Sequence, residues 1–570
     1  MDTITSIDAA LSRMILSASG WRGVFSLDGN EESRLPEISE AHKLICANAA
    51  RVFAEFIRNK TNSQNIHIVV AMDTRPTGKA VSRVILSALQ DSGCTVRWTG
   101  ICSAPEIMAY ARKLGKDPST KGGFIFISAS HNPIGHNGLK FGMLDGSVLK
   151  PEDAMELTAL FKESFSKREA APPSVCAMPE SEKTNAFEAY LSFIENVIAG
   201  DGINAEQMRQ KLRAAVRQKP IGIVCDFNGS ARSASIDSVF FESYGIAFKS
   251  INDNPGEIVH RIVPEGDALE PCRLFLEESH KKNDAFVLGY VPDCDGDRGN
   301  LVVWDENLKK ARALESQEVF ALACVSELSH IAWTGLTDTG GLKIALAVND
   351  ATSMRVDRIA EAFNAKVFRA ETGEANVVSL ARKLRAEGWT VRILGEGAAG
   401  GNITHPSAVR DPLCSVMGLV KLITLPGFRR EFSMPRFVTT EAYSAKAKLR
   451  VLAEDHGALK REYQRIFLEQ WDMEKQKLAA RGIKSFHAFR YNGITELSCD
   501  DDFGSAGRGG LKINFYNEDG RGIAAIWMRG SATEPVFRVM ADVEGDDAEF
   551  ERVLIEWQRG MVLAADALCN

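Results

Sequence analysis

Residues 124–142 read FIFISASHNPIGHNGLKFG. A wholly apolar run stops at Ser128, and Ser130 is followed at once by His131, Asn132 and Pro133. An apolar run of this length bounded by turn residues reads as a buried strand, and Asn-Pro starts a turn. The serine therefore stands on a loop at a strand end. Working outward, similar apolar runs lie at 66–73, 220–229, 284–293, 342–348 and 390–397, with helical patterns between them, as at 78–93. Strands alternating with helices predict an α/β chain of βαβ units with mixed, mostly parallel sheets. In such sheets ligands sit beyond the carboxyl ends of the strands, which is where the polar motifs of this chain fall.

The chain has 570 residues, 45% hydrophobic and 25% charged, with a net charge of −7 and no long basic run. That argues against nucleic acid as its main partner. Its 11 cysteines are scattered, with no CxxC pair, so a reducing compartment is expected. The first residues carry acidic groups and no basic segment, unlike a secretory signal, and no apolar run reaches the length of a membrane span. A cytoplasmic location without a membrane partner is expected, and oligomeric state is not legible. A proline-rich stretch at 167–184 and boundaries near 305–315 and 425–435 suggest four domains: 1–184, 185–310, 311–428 and 429–570. In 459–481, Tyr463, Ile466, Phe467 and Trp471 recur at helical spacing and predict one buried face.

Four loops carry chemistry. Ser130 is either a turn residue or a nucleophile, and a serine hydroxyl becomes reactive only with help from neighbours such as His131 and Lys140. In PDCDGDRGN, 292–300, three alternating carboxylates at Asp293, Asp295 and Asp297 repel one another unless a hard cation such as Mg²⁺ sits among them. An EF-hand is excluded, because its glycine and glutamate positions hold Arg298 and Trp304. Cys294 is a soft ligand and is expected to point away. In GEGAAGGN, 395–402, Gly395, Gly397 and Gly400 match a dinucleotide fingerprint, but prolines at 406 and 412 oppose the helix that should follow. A loop placing Glu396 against a polyhydroxyl ligand fits better. In RGSATEPVFR, 529–538, two arginines, two hydroxyls and small residues suit a phosphate.

These motifs resemble those of the α-D-phosphohexomutases. The active-serine motif is similar to Ser128–Pro133, and the family's D-x-D-G-D-R matches Asp293 to Arg298. The sugar loop G-E-x-S-G corresponds to Gly395, Glu396, Gly397 and Ala398, and the phosphate loop to Arg529 through Arg538. Ser19 to Gly23 resembles S-G-x-R-G, and MDTRPT resembles D-x-R-x-S. The motifs keep family order across nearly the whole chain.

The resemblance implies three α/β domains and a C-terminal α+β domain. It implies a phosphoserine at Ser130, with Mg²⁺ held by Asp293, Asp295, Asp297 and an oxygen of that phosphate. Arg22 and Arg298 match positions near this centre, Lys140 a general acid or base, and His131 an assisting group. A hexose 1-phosphate of the glucose or mannose type would become the 6-phosphate through a 1,6-bisphosphate, which also serves as activator. Glu396, with Gly395, Gly397 and Ala398, would hold sugar hydroxyls. Arg529, Ser531, Ala532, Thr533 and Arg538 would grip the phosphate that is not reacting, and Glu374, in ETGEANVV, is a candidate for sugar specificity. Two departures stand out: the sugar-loop serine is Ala398, and the phosphate-loop glycine is Ala532. They leave open a sugar-phosphate-binding protein without turnover, and a phosphatase.

Overall fold

The computed structural model describes residues 6–17, 20–166, 177–336, 341–395, 401–429, 434–440, 448–530 and 536–569. The chain groups into two compact units. The first comprises Met1–Leu314 and Pro406–Leu425, the second Glu315–His405 and Pro426–Asn570.

The first unit holds two sheets. One runs in the order Ile15–Ser17, Gly20–Val24, His136–Met143, Gly122–Ile127, His67–Met72, Thr95–Ile101. Gly122–Ile127 is buried at every residue, as its unbroken apolar character requires of a strand covered on both faces. The helix Glu40–Thr61 packs on one face. Ser39 caps its start by accepting the His42 N–H, and Asn62 ends it in the left-handed region. Its Phe53 meets Phe141 at 5.0 Å, and Trp21 packs against Phe141 and Phe161. The second sheet runs Lys310–Ala313, Gly299–Asp305, Phe286–Pro292, Gly222–Asp226, Ala247–Ile251.

The second unit holds a sheet in the order Lys366–Ala370, Lys343–Asn349, Ile393–Gly395, Asn402–Thr404, with Trp389–Thr390 also pairing Lys343–Asn349. It also holds a seven-stranded, wholly antiparallel sheet running Phe437–Thr440, Val536–Glu544, Gly522–Gly530, Leu511–Tyr516, Ser485–Asn492, Thr495–Ser498, with Lys448–Arg450 also pairing Val536–Glu544. The helices His456–Ala480 and Ala548–Cys569 pack against each other and share one apolar core with this sheet. The stripe Tyr463, Ile466, Phe467 and Trp471 is buried in that core.

Parallel pairing joins strands linked by helices, as in His67–Met72 with Gly122–Ile127. Every strand that leads into a motif loop instead turns back on itself. Ile127 pairs Leu139, Pro292 pairs Gly299, Gly395 pairs Asn402 and Gly530 pairs Phe537, all antiparallel. The connections are too short for a parallel crossover, which needs about a dozen residues or more. The first two sheets are therefore half antiparallel, and the chain is α/β with an antiparallel α+β tail. Among the described residues no helix is long and apolar enough to cross a membrane.

Candidate active site

In the first unit, the Ser130 loop meets the aspartate loop. Ser130 is buried, with φ at +53°, in the left-handed region that few residues other than glycine adopt. Its hydroxyl donates to Asp293 Oδ2 at 2.9 Å, and its N–H donates to Ser128 Oγ at 2.8 Å. Ser128 Oγ in turn donates to Asp295 Oδ2 at 3.0 Å. The two serines of the motif thus clasp two of the three aspartates.

Asp293, Asp295 and Asp297 are all buried, and each offers an oxygen within 4.8 Å of the others. Lys140 Nζ donates to Asp295 Oδ2 at 2.5 Å and lies 3.4 Å from Asp297 Oδ2. Arg410 Nη2 reaches Asp297 Oδ2 at 3.0 Å, and Arg298 Nε lies 3.9 Å from Asp297 Oδ1. Arg22 lies opposite Gly138, on the same sheet face as Lys140 two residues along. Asp295 Oδ1 and Asp297 Oδ1 are buried without a hydrogen-bond partner. Buried carboxylate oxygens left in this way fit a hard divalent ion, and Mg²⁺ suits an all-oxygen set. Cys294 turns from the carboxylates into an apolar cluster with Ile134, Ile258 and Ile262.

Burial raises the Asp293 carboxyl well above its ordinary value, and the neighbouring Asp295 and Asp297 add to it. Burial also works against ionisation of Asp297, but Arg410, Lys140 and Arg298 outweigh it and hold this carboxylate low. At Lys140, burial opposes the charge, and Asp295 and Asp297 override it, so the ammonium is kept. His131 is held neutral by burial and by Arg298, Arg22 and Arg410. Burial and Arg298 also lower Arg22 from its ordinary value.

The aspartate loop is anchored from behind. Arg232, fully buried, pairs with Asp237 and donates to Tyr190, the Gly296 carbonyl and Asp411. Gly296, at φ +70°, has no room for a side chain, because a Cβ would lie 2.3 Å from Arg232 Cγ.

The second unit carries the other motifs. Gly395 ends its strand, while Glu396, Gly397 and Ala398 lie outside the described residues. Glu374 begins the helix Glu374–Ala386 after Gly373. Arg529 and Arg538 face each other directly across two strands, an arrangement of like charges that favours an anion between them. Ser531, Ala532 and Thr533 lie outside the described residues. Lys460 is fully buried near Arg529 and donates to the carbonyls of Gly507 and Gly509 at 2.8 and 2.6 Å. Burial lowers its pKa to about 7, and Arg529 contributes in the same direction.

Sequence reasoning missed Arg410 and Lys460. Arg410 stands 113 residues from the aspartate it pairs with, in a segment with no recognisable motif. Lys460 sits in an amphipathic helix where a lysine reads as solvated; its flanking apolar stripe was the available signal.

Residues 15–168 match the family model described as phosphoglucomutase/phosphomannomutase, alpha/beta/alpha domain I. The chain is 27% identical over 404 residues to a phosphoglucomutase/phosphomannomutase of Thermococcus kodakarensis, covering 68% of this chain and 78% of that one. It is 27% identical over 342 residues to a phosphoglucosamine mutase of Lactobacillus johnsonii, covering 59% and 64%. The fold is that of a phosphoglucomutase/phosphomannomutase family protein from Burkholderia thailandensis, with a TM-score of 0.61 over 97% of both chains at 15% identity. With serine, aspartate and lysine motifs converging on one buried centre, residues 15–168 are a phosphoglucomutase/phosphomannomutase domain I, and over most of its length the chain is similar to α-D-phosphohexomutases, which are intramolecular phosphotransferases.

Proposed function

We propose that this chain interconverts hexose 1-phosphate and hexose 6-phosphate, with Ser130 as phosphoryl carrier and a 1,6-bisphosphate as intermediate and activator. The observation that carries this reading is the Ser130 hydroxyl at 2.9 Å from Asp293, inside a buried cluster of three carboxylates and the cations Lys140, Arg298 and Arg410. With Arg22, four cations face three carboxylates and leave one excess positive charge. A divalent ion and a phosphoserine dianion would offset each other, so the centre would stay attractive to an anionic substrate. Mg²⁺ held by Asp293, Asp295 and Asp297 would supply charge neutralisation at the phosphoryl group.

The chain's own residues do the rest. Lys140, kept as an ammonium by Asp295 and Asp297, is in the acid form and can return a proton to the Ser130 oxygen when the phosphoryl group leaves. His131, kept neutral, adds no charge of its own beside the serine. Arg22, Arg298 and Arg410 stabilise charge on the transferring group. In the second unit, Arg529 and Arg538, with Ser531, Ala532 and Thr533, would hold the distal phosphate. Glu396, Gly395, Gly397 and Ala398 would hold sugar hydroxyls, with Glu374 selecting among sugars. We place these parts in four domains bounded as the sequence suggests, and the protein in the cytoplasm.

Glucose and mannose 1-phosphates are the proposed substrates. The relative named phosphoglucosamine mutase makes glucosamine 1-phosphate the third compound to test. The purified chain should convert at least one of the three to its 6-phosphate in the presence of Mg²⁺ and a trace of bisphosphate. Ser130→Ala should lose at least about 10⁴-fold in kcat, and chelation of the metal should stop the wild type. Turnover surviving in Ser130→Ala would sink the carrier role. Release of free phosphate in place of 6-phosphosugar would make the protein a phosphatase.

A further inference from the structure

Arg75 lies just past the strand His67–Met72, beside the strand that leads to Ser130. It is buried, yet it touches no aspartate of the cluster. Its guanidinium gathers the backbone of the serine loop. One terminal nitrogen, Nη2, donates to the carbonyls of Ser130 and Asn132 at 2.7 and 2.6 Å. The other, Nη1, donates to those of Pro133 and His136 at 2.5 and 3.0 Å. Nε lies 3.3 Å from Asp73 Oδ2, and Asp73 Oδ1 accepts the Arg75 N–H at 2.9 Å. Four carbonyl oxygens within seven residues therefore converge on one cation. Their dipoles repel one another unless a cation with fixed, forked donors stands between them, which is a property of arginine and not of lysine.

This arrangement constrains the reactive residue. A planar trans peptide points its N–H opposite to its C=O. With the Ser130 carbonyl turned to Arg75, the His131 N–H faces away from Arg75, and it has no protein acceptor among the described residues. Ser130 itself is held at φ +53°, a conformation that persists only where its surroundings impose it. Successive peptides arranged around a left-handed residue form a concavity that accepts anions.

We propose that Arg75 is a positioning residue for phosphoryl transfer: by collecting the loop carbonyls it fixes the Ser130 hydroxyl against Asp293 and presents the His131 N–H to a phosphoryl group on Ser130. This rests on the carrier role of Ser130. Arg75 touches neither substrate nor phosphate. Its effect falls on the geometry of transfer, and substrate affinity is left alone.

The test compares wild type, Arg75→Lys and Asp73→Asn as full-length proteins with Mg²⁺, on whichever of the three sugar 1-phosphates the wild type turns over. Arg75→Lys keeps the charge and loses the fork. It should lower kcat by roughly 100-fold or more while KM stays within about threefold, since misplacing a reacting group by an ångström has that scale of effect. The ratio of free phosphate to 6-phosphosugar formed from phosphorylated protein should also rise, a partition that lowered stability alone would not change well below the melting temperature. Asp73→Asn keeps the four carbonyl bonds and loosens the guanidinium. It should give the same pattern, more weakly, and it decides the matter if Arg75→Lys does not fold. Unchanged kcat in the folded variants, or a rise in KM alone, overturns the inference. Absence of turnover in the wild type with all three sugars instead overturns the function on which it rests.

Discussion

Lys460 places a positive charge where neither water nor a carboxylate ion pair among the described residues offsets it, and two carbonyls are its acceptors. Its folded pKa of about 7 lies below the ordinary lysine value. Between roughly pH 7 and 10 the unfolded chain therefore binds more protons than the folded one, and stability rises with pH across that window, by at most about 1.4 kcal/mol per pH unit. Below the window the penalty is present in full. Urea unfolding at about pH 7 and about pH 9 should show this rise in the wild type and a smaller one in Lys460→Met, where Lys512, lowered by burial to about 8, still contributes. Equal slopes in the two proteins would mean that the ammonium is better solvated than its burial indicates. The same burial explains why this residue escaped a reading of the sequence. A lysine in an amphipathic helix reads as a solvated group, and only the strands that come to lie over it make it otherwise.

At the scale of elements, the start of the helix His456–Ala480 is pressed against the strand that opens the phosphate motif. A Cβ at Gly530 would lie 2.0 Å from His456 Nδ1, and the His456 ring is itself held edge-on to Phe537 at 4.8 Å. Gly530→Ala should therefore cost about 1–3 kcal/mol in urea unfolding, as overpacking does. Adding His456→Ala should recover much of that loss, giving a coupling between the two positions. Additive losses would show that the strain lies elsewhere. Elements of this kind were partly legible. Gly122–Ile127 and Lys343–Asn349 were visible as apolar runs, and the stripe from Tyr463 to Trp471 as a helical period. Gly522–Gly530 and Val536–Glu544 were visible as two strands joined by a polar loop, whereas the strand that returns from the serine loop, His136–Met143, was not. HNGLKFGM carries glycines at 138 and 142 that weaken any strand signal, yet a Cβ at Gly138 would lie 2.2 Å from the Trp21 carbonyl oxygen. Close backbone approach sets those residues, and local sequence does not reveal it. The aspartates and Ser130 were legible because each motif is contiguous, whereas their joining into one centre is a matter of long-range contacts.

For the molecule as a whole, the decisive feature is the return of residues 406–425 to the first unit. This short segment supplies Arg410 to Asp297 and Asp411 to Arg232 and Tyr190. Its helix Pro412–Thr424 sends Lys421 to the Ile198 carbonyl. A fragment of residues 1–314 lacks all of these partners and leaves buried charges uncompensated, a loss of several kcal/mol. It should melt roughly 10 °C or more below a fragment in which 1–314 is joined by a flexible linker to 406–425, as read by circular dichroism. Equal melting temperatures would show that the returning segment is an ornament of the first unit.

The same return sets a clock on synthesis. Asp297 leaves the ribosome 113 residues ahead of Arg410. At about 5–20 residues per second, the wait lasts roughly 6–23 s. Throughout that interval Asp297 has Lys140 and Arg298 beside it but lacks Arg410, and Arg232 lacks Asp411. All of Glu315–His405 is translated during the same wait. The part of the chain made first is thus the part that is not complete until later segments arrive.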